Sequence, residues 1–137
     1  MKRILIDTNV LISFLTDRNL EQQEKSAILL EGAARGELAV VVLQAVILEL
    51  AFVFQNLYGR SKAETATLIS DCLLLPGISV ANDISWSVLL KVWPKDFPDL
   101  ADAILAVMCR TLSCDAVATF DRAFQKALQR RGIQSYF

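Results

Sequence analysis

The chain contains no histidine. That absence removes His-dependent triads, imidazole general bases and histidine metal ligands together. Cysteine is scarce. Cys72, Cys109 and Cys114 form an odd set without metal-ligand spacing, so small buried thiols in a reducing cytoplasm are the expectation. Five glycines and three prolines punctuate 137 residues, and no repeat or Pro/Gly-rich linker divides them, which leads us to expect one domain over residues 1–137. No sign of charge dominates: 14 Lys and Arg against 15 Asp and Glu leave −1. A global basic field is excluded, and any polyanion must be met by a local patch. A membrane span is missing too. The longest apolar stretch, LAVVVLQAVILELAFVF over 38–54, is shorter than the ~20 residues a span needs and holds Gln44 and Glu49. The opening MKR and ILI are interrupted by Asp7 and Asn9 too early for a secretory core.

What is present is a folded globular composition, 54% hydrophobic and 21% charged. Arg3 to Ile6 reads as a strand, followed by a helix from about Asn9 into Leu15. Residues 21–35 are rich in helix formers and stop at Gly36. Leu38 to Leu43 is a continuous aliphatic run of the kind buried on both faces of a sheet. A largely buried helix is expected over 44–58, ended by Gly59. The capping box at Ser61 and Glu64 starts another, which runs to about Leu75 before Pro76-Gly77. Ile78 to Ala81 is a short strand, and Asp83 is expected to cap a helix running through Val92 to a stop at Pro94. Pro98-Asp99 opens a helix to about Leu112. Ala116 to Phe120 is a strand, 122–131 a helix ended by Gly132, and 133–136 a last edge strand. The alternation predicts an α/β fold with a mainly parallel sheet covered on both faces. Ligands gather outside the carboxyl ends of the strands in such sheets.

Four acids stand out against that frame. Asp7 and Asp121 each follow a buried strand and precede a helix. Asp102 lies in the first turn of its helix, within LADAILAV, and Glu49 lies within AVILELAFVF. Each has a plain structural reading. Asp7 and Asp121 suit N-caps, Asp102 complements a helix N-terminus, and Glu49 escapes burial if its helix face reaches solvent. If that face is buried instead, its carboxylate is expensive. No Lys or Arg neighbours Asp7, Glu49 or Asp102 in sequence. A hard divalent cation would neutralise them together, because Mg²⁺ and Mn²⁺ prefer oxygen ligands, whereas zinc is a poor match. Two such ions about 3.5–4 Å apart form a known device for phosphodiester hydrolysis that needs no histidine. Without a cation, clustered carboxylates should raise a carboxyl pKa.

The ordered set DTNVLISFL, VILELAF, LADAILAV and ATFDRAF resembles the PIN-domain ribonucleases, most closely the VapC-like toxins of toxin–antitoxin pairs, over Ile4 to Phe124. The resemblance implies a three-layer fold with a twisted parallel sheet and a Mg²⁺-dependent endoribonuclease in which Mn²⁺ can substitute. It carries the metal and catalytic roles onto Asp7, Glu49, Asp102 and Asp121, with Asp7 and Asp102 closest to the ion. Thr8, Asn9 and Thr119 match the small polar positions that orient the carboxylates. An RNA substrate, an antitoxin over the acidic cleft and a homodimer are implied as partners. Asp99 reads as an N-cap of its helix or as a support for Asp102.

Arg122, Lys126 and Arg130 recur every four residues on one helix face, as a phosphate-binding rail or as a solvated face. Trp86 and Trp93 are expected two turns apart on one helix, and Phe52, Phe54 and Tyr58 in core or interface positions. Two competing classes remain. One is a catalytically silent binding module on the same fold. The other is a phosphatase with Asp7 as nucleophile, which Asn9 argues against because that chemistry usually places a second Asp there.

Overall fold

A computed structural model describes residues 1–81 and 83–137. Four strands form one parallel sheet: β1 (Lys2–Ile6), β2 (Leu38–Leu43), β3 (Ile78–Ala81) and β4 (Ala116–Ala118). Their order is β3-β2-β1-β4. The chain therefore lays β2 and β3 outward on one side of β1, then returns to place β4 on the other. Crossovers leaving β1 and β4 diverge, which opens a crevice at the carboxyl ends of that pair. The register sets Ile4 opposite Ala116 and Ile6 opposite Ala118. The Asp7 N–H extends the ladder to the Ala118 carbonyl at 2.9 Å.

The described residues also form seven helices: α1 (Thr8–Leu15), α2 (Leu20–Ala34), α3 (Gln44–Asn56), α4 (Lys62–Leu73), α5 (Trp86–Val92), α6 (Leu100–Thr111) and α7 (Arg122–Arg130). The sheet is dry because its strands are aliphatic at consecutive positions: Ile4, Leu5 and Ile6, then Val40 to Leu43, are all buried. Such runs cannot leave one face wet, so helices must cover both. Within α6 every residue from Ala103 to Cys109 is buried, which holds its N-terminal turn firmly at the crevice. Cys72 and Cys109 are buried free thiols, and burial pushes each up to about 11.

Several boundaries differ from those expected. The helix expected from Asp83 begins at Trp86 with Ser85 at its N-cap, and neither side chain supplies a capping bond among the described residues. Trp93 is not helical. It precedes Pro94 and takes the extended conformation that a following proline favours, with its indole N–H donating to the Pro98 carbonyl at 3.1 Å. The two tryptophans therefore do not share a helix face. β4 ends at Ala118, and beyond it the Thr119 hydroxyl and the Phe120 N–H bond side chains at the start of α1 and not a neighbouring strand. Residues 133–136 form a single parallel bridge, Val117 to Ser135, and no edge strand, since the short β4 offers little ladder to pair with. Of the aromatic trio only Phe54 is core; Phe52 is 62% exposed.

Gly77 fixes the entry to β3. Its φ is +82°, and a Cβ there would sit 2.3 Å from the Ala33 carbonyl oxygen. Gly36 has φ +75° with open space around it. Both positions penalise a side chain through φ, and only Gly77 adds a backbone clash. Gly77→Ala is expected to cost about 2 kcal/mol more than Gly36→Ala in urea unfolding. Equal losses at the two positions would refute the close approach.

Candidate functional site

Asp7 leaves β1 with extended backbone and caps α1. Its Oδ1 accepts the Thr8 N–H at 2.7 Å, and its Oδ2 accepts the Thr119 hydroxyl at 2.9 Å and the Asn9 amide at 3.2 Å. Thr119, fully buried just beyond β4, also accepts from Asn9 Nδ2 at 3.0 Å and from the Asp121 N–H at 3.2 Å. Asn9 Oδ1 accepts the Phe120 N–H at 3.1 Å. The result is a closed lock across the β1–β4 seam in which the Thr119 hydroxyl uses its one proton and both lone pairs. Asn9 and Thr119 thus orient Asp7 with their side chains. Thr8 does so through its backbone N–H.

The other acids approach from three helices. Asp102 is half-buried in the first turn of α6. Asp99 is that helix's N-cap, accepting the Asp102 N–H at 3.0 Å, which matches its capping reading. Asp121 is exposed and caps α7 through the Phe124 N–H at 3.1 Å. Glu49 does not take the costly buried position. It is exposed, because the α3 face holding Leu48 and Phe52 reaches solvent, so no burial cost falls on it. It still stands near Asp7. The two line a recess of about 20 Å³ with Thr8, Leu43 and Ala101, about the space of one water molecule.

The donor set is all oxygen, which suits a hard cation and not zinc. Asp7 Oδ1 has a lone pair left after its bond to Thr8. Among the described residues no three acidic or thiol groups converge closely enough to form a ready cage. That openness fits an ion which keeps several waters and binds through one or two carboxylates, as Mg²⁺ does, and not a dry cage of protein ligands.

Of the basic stripe, Arg122 lines the trough beside Phe120, whereas Lys126 and Arg130 are exposed further along α7 and do not border it. Arg18 borders a neighbouring trough with Asn9 and Asp121. Sequence reasoning overlooked it, because it sits in the α1–α2 loop where no helical or strand period marks a position.

The PIN domain family model matches residues 4–128. The chain belongs to the PIN domain family. Among solved structures it is similar to a Mycobacterium tuberculosis toxin, VapC20, described as cleaving the sarcin–ricin loop. Identity is 14%, TM-score 0.68, with 90% of this chain and 94% of that one covered. It is also similar to a domain of a functionally unknown protein from Methanocaldococcus jannaschii, at 17% identity and TM-score 0.55 over 100% of this chain and 91% of that one. At these identities the likeness concerns the fold. No curated protein matches.

Electrostatics ties the acids together. Burial lifts the Asp7 carboxyl to about 6, the Glu49 and Asp121 charges add to the rise, and the Thr119 and Thr8 hydrogen bonds oppose it. Asp102 rises to about 7, first by burial, then through Asp99, Asp7, Asp121 and Glu49. Repulsion was expected as the cause; desolvation is the larger one. Because the folded carboxyl of Asp7 holds its proton more tightly than the unfolded one, its stabilising contribution is full below pH 4 and is lost as pH rises through 6. Two pKa units correspond to ~3 kcal/mol. Asp7→Asn leaves one donor facing another donor at every pH, a fixed cost of ~1–3 kcal/mol. In chelator, the stability of Asp7→Asn relative to wild type is therefore expected to improve by ~3 kcal/mol between pH 4 and 7. Parallel stability curves for the two proteins would contradict the raised pKa.

Proposed function

We propose that this chain is a single-domain, metal-dependent endoribonuclease that hydrolyses RNA phosphodiester bonds, and that it is the toxin of a toxin–antitoxin pair. The observation that carries the reading is the Asp7–Asn9–Thr119 lock: a buried carboxylate aimed into the crevice of a parallel sheet, amid acids that raise its pKa. Membership of the PIN family supports a nuclease, and the toxin described for its structural relative supports RNA as the substrate.

Asp7 and Asp102 are the proposed nearest ligands of Mg²⁺ or Mn²⁺, with Glu49 and Asp121 completing the site directly or through water. When bound, the cation would supply activation of the attacking water and neutralisation of charge at the leaving oxygen. Asn9, Thr119 and the Thr8 N–H hold the Asp7 carboxylate in one orientation, so no reorganisation is needed when charge arrives. Arg122 offers a cation to the RNA backbone, and Lys126 and Arg130 extend that rail along α7. An antitoxin segment covering the acidic cleft would silence the enzyme.

A homodimer belongs to the same reading. Leu48 and Phe52 on α3, and Trp86 and Leu90 on α5, are exposed apolar pairs one turn apart that are open to a second copy. The reading places the protein in the cytoplasm; no helix among the described residues is long and apolar enough to cross a membrane.

With labelled RNA and Mn²⁺, Asp7→Asn and Asp102→Asn are each expected to reduce cleavage more than ~100-fold, and Thr119→Val, which keeps all four acids but removes the hydroxyl that ties Asp7 to Asn9, by ~10–100-fold. Chelator should abolish wild-type cleavage. Near wild-type rates from either Asp variant would sink the reading, and folded wild-type protein inert with every cation would favour the silent binding module.

A further inference from the structure

One arginine stands beside the acids without being neutralised by them. The Arg18 guanidinium donates to the Asn9 carbonyl at 3.3 Å and to the Ser13 hydroxyl at 3.0 Å. It makes no ion pair among the described residues. Ser13 is wholly buried and donates its own proton to Gln22 Oε1 at 2.9 Å. With its oxygen occupied, Gln22 has its amide NH₂ free of hydrogen bonds among the described residues. Arg18 is thus steadied by neutral acceptors, and its charge and most of its five donors remain available to an anion.

The space in front of it has a matching shape. Arg18, Asn9 and Asp121 border a trough of about 380 Å³, which shares Asn19, Gln22 and Phe120 with a second of about 320 Å³ that reaches Arg122 and Phe137. The two troughs adjoin at these shared residues to make one channel, bordered by Arg18 in its first part and by Arg122 in its second. Lys25, also on its border, is paired with Glu21 at 3.3 Å. On the shared wall, Phe120 stacks on Phe137, which lines the second part, with ring centroids 4.4 Å apart and planes at 19°. Phe120 is held by the same lock that holds Asp7, through its N–H to Asn9.

We infer that this channel is a subsite for one unpaired nucleotide next to the bond that is cut. Arg18 takes a phosphate in its planar fork, Arg122 takes the phosphate on the other side, and the base lies against the Phe120–Phe137 wall. A base can meet an aromatic side chain only when it has left its helix, so the subsite selects single-stranded or looped RNA over duplex. An acidic side chain would satisfy the arginines but carries no ring to match the wall, whereas a nucleotide joins phosphate and ring in one unit. The inference rests on the ribonuclease reading for its substrate class.

Binding in chelator separates the two ideas, since no cleavage is needed. Anisotropy is measured with a fluorescein-labelled single-stranded oligoribonucleotide and with the same sequence as a duplex, over a salt series. Wild type should prefer the single strand by about tenfold or more. Arg18→Ala should weaken that binding about tenfold and lower the salt slope by about 1, and Arg18→Lys should restore the slope while recovering only part of the affinity. Phe120→Leu should weaken single-strand binding with the slope unchanged, and Phe137→Leu serves as the second wall variant if Phe120→Leu folds poorly. Equal affinity for both RNA forms, or an Arg18→Ala protein with wild-type affinity and slope, overturns the subsite even if wild type cleaves RNA with Mn²⁺. Wild type that shows the binding pattern but cleaves nothing with any cation keeps the subsite and removes the nuclease reading.

Discussion

The hydrogen bonds from the Thr119 hydroxyl to the Asp7 carboxylate and from the Asn9 amide to that hydroxyl join distant parts of the chain across the β1–β4 seam, and the candidate site depends on them. The first spans a sequence distance of 112 residues and the second 110. β1 and β4 are buried aliphatic strands whose pairing carries no chemistry. At their carboxyl ends the dry ladder gives way to one carboxylate, one amide and one hydroxyl, each using the others' donors and acceptors. A buried carboxylate without such partners would be costly. Here the partners hold it ionisable and fix its direction, and the diverging crossovers leave a crevice for it to face.

The same arrangement concentrates negative charge. Asp102 and Asp121 are delivered by the first turn of α6 and the cap of α7, and Glu49 by an exposed turn of α3. No arginine or lysine pairs with these four among the described residues. Arg18, which borders a trough with Asp121, is tied to a carbonyl and a hydroxyl. Charge of one sign gathered around a buried acid destabilises the fold at neutral pH, and the proposed divalent cation would offset that cost. Strain of this kind is characteristic of sites selected for binding and not for stability.

Much of this was legible in the residues. Runs such as ILI and VVVL announce strands buried on both faces, and the rule that ligands meet strand carboxyl ends singled out Asp7 and Asp121. Thr8, Asn9 and Thr119 were expected as orienting groups; in the fold Asn9 and Thr119 donate to Asp7 by side chain and Thr8 by its backbone N–H. Other features depend on tertiary context that no local pattern carries. Glu49 looked as if it could be buried because its sequence neighbours are apolar, yet Leu48 and Phe52 share its exposure on an uncovered helix face. Asp83 has the chemistry of a cap, but the helix begins at Trp86. Arg18 acquires meaning only when the α1–α2 loop folds against Asn9 and Ser13. Arg122, Lys126 and Arg130 share a helical period, and the fold brings only the first to the trough.

We propose that Asp7 and Asp102, whose carboxyls burial and neighbouring acids raise, hold a divalent cation, and calorimetric titration of Mn²⁺ into the wild-type protein near pH 6.5 tests this most directly. Repeating the titration in buffers of different ionisation enthalpy counts the protons displaced. With Asp7 titrating at about 6 and Asp102 at about 7, both are partly protonated at that pH, and an ion that binds them must expel protons. The account predicts saturable Mn²⁺ binding with net proton release that fades toward pH 8. Absence of binding, or binding that releases no protons at pH 6.5, would contradict it.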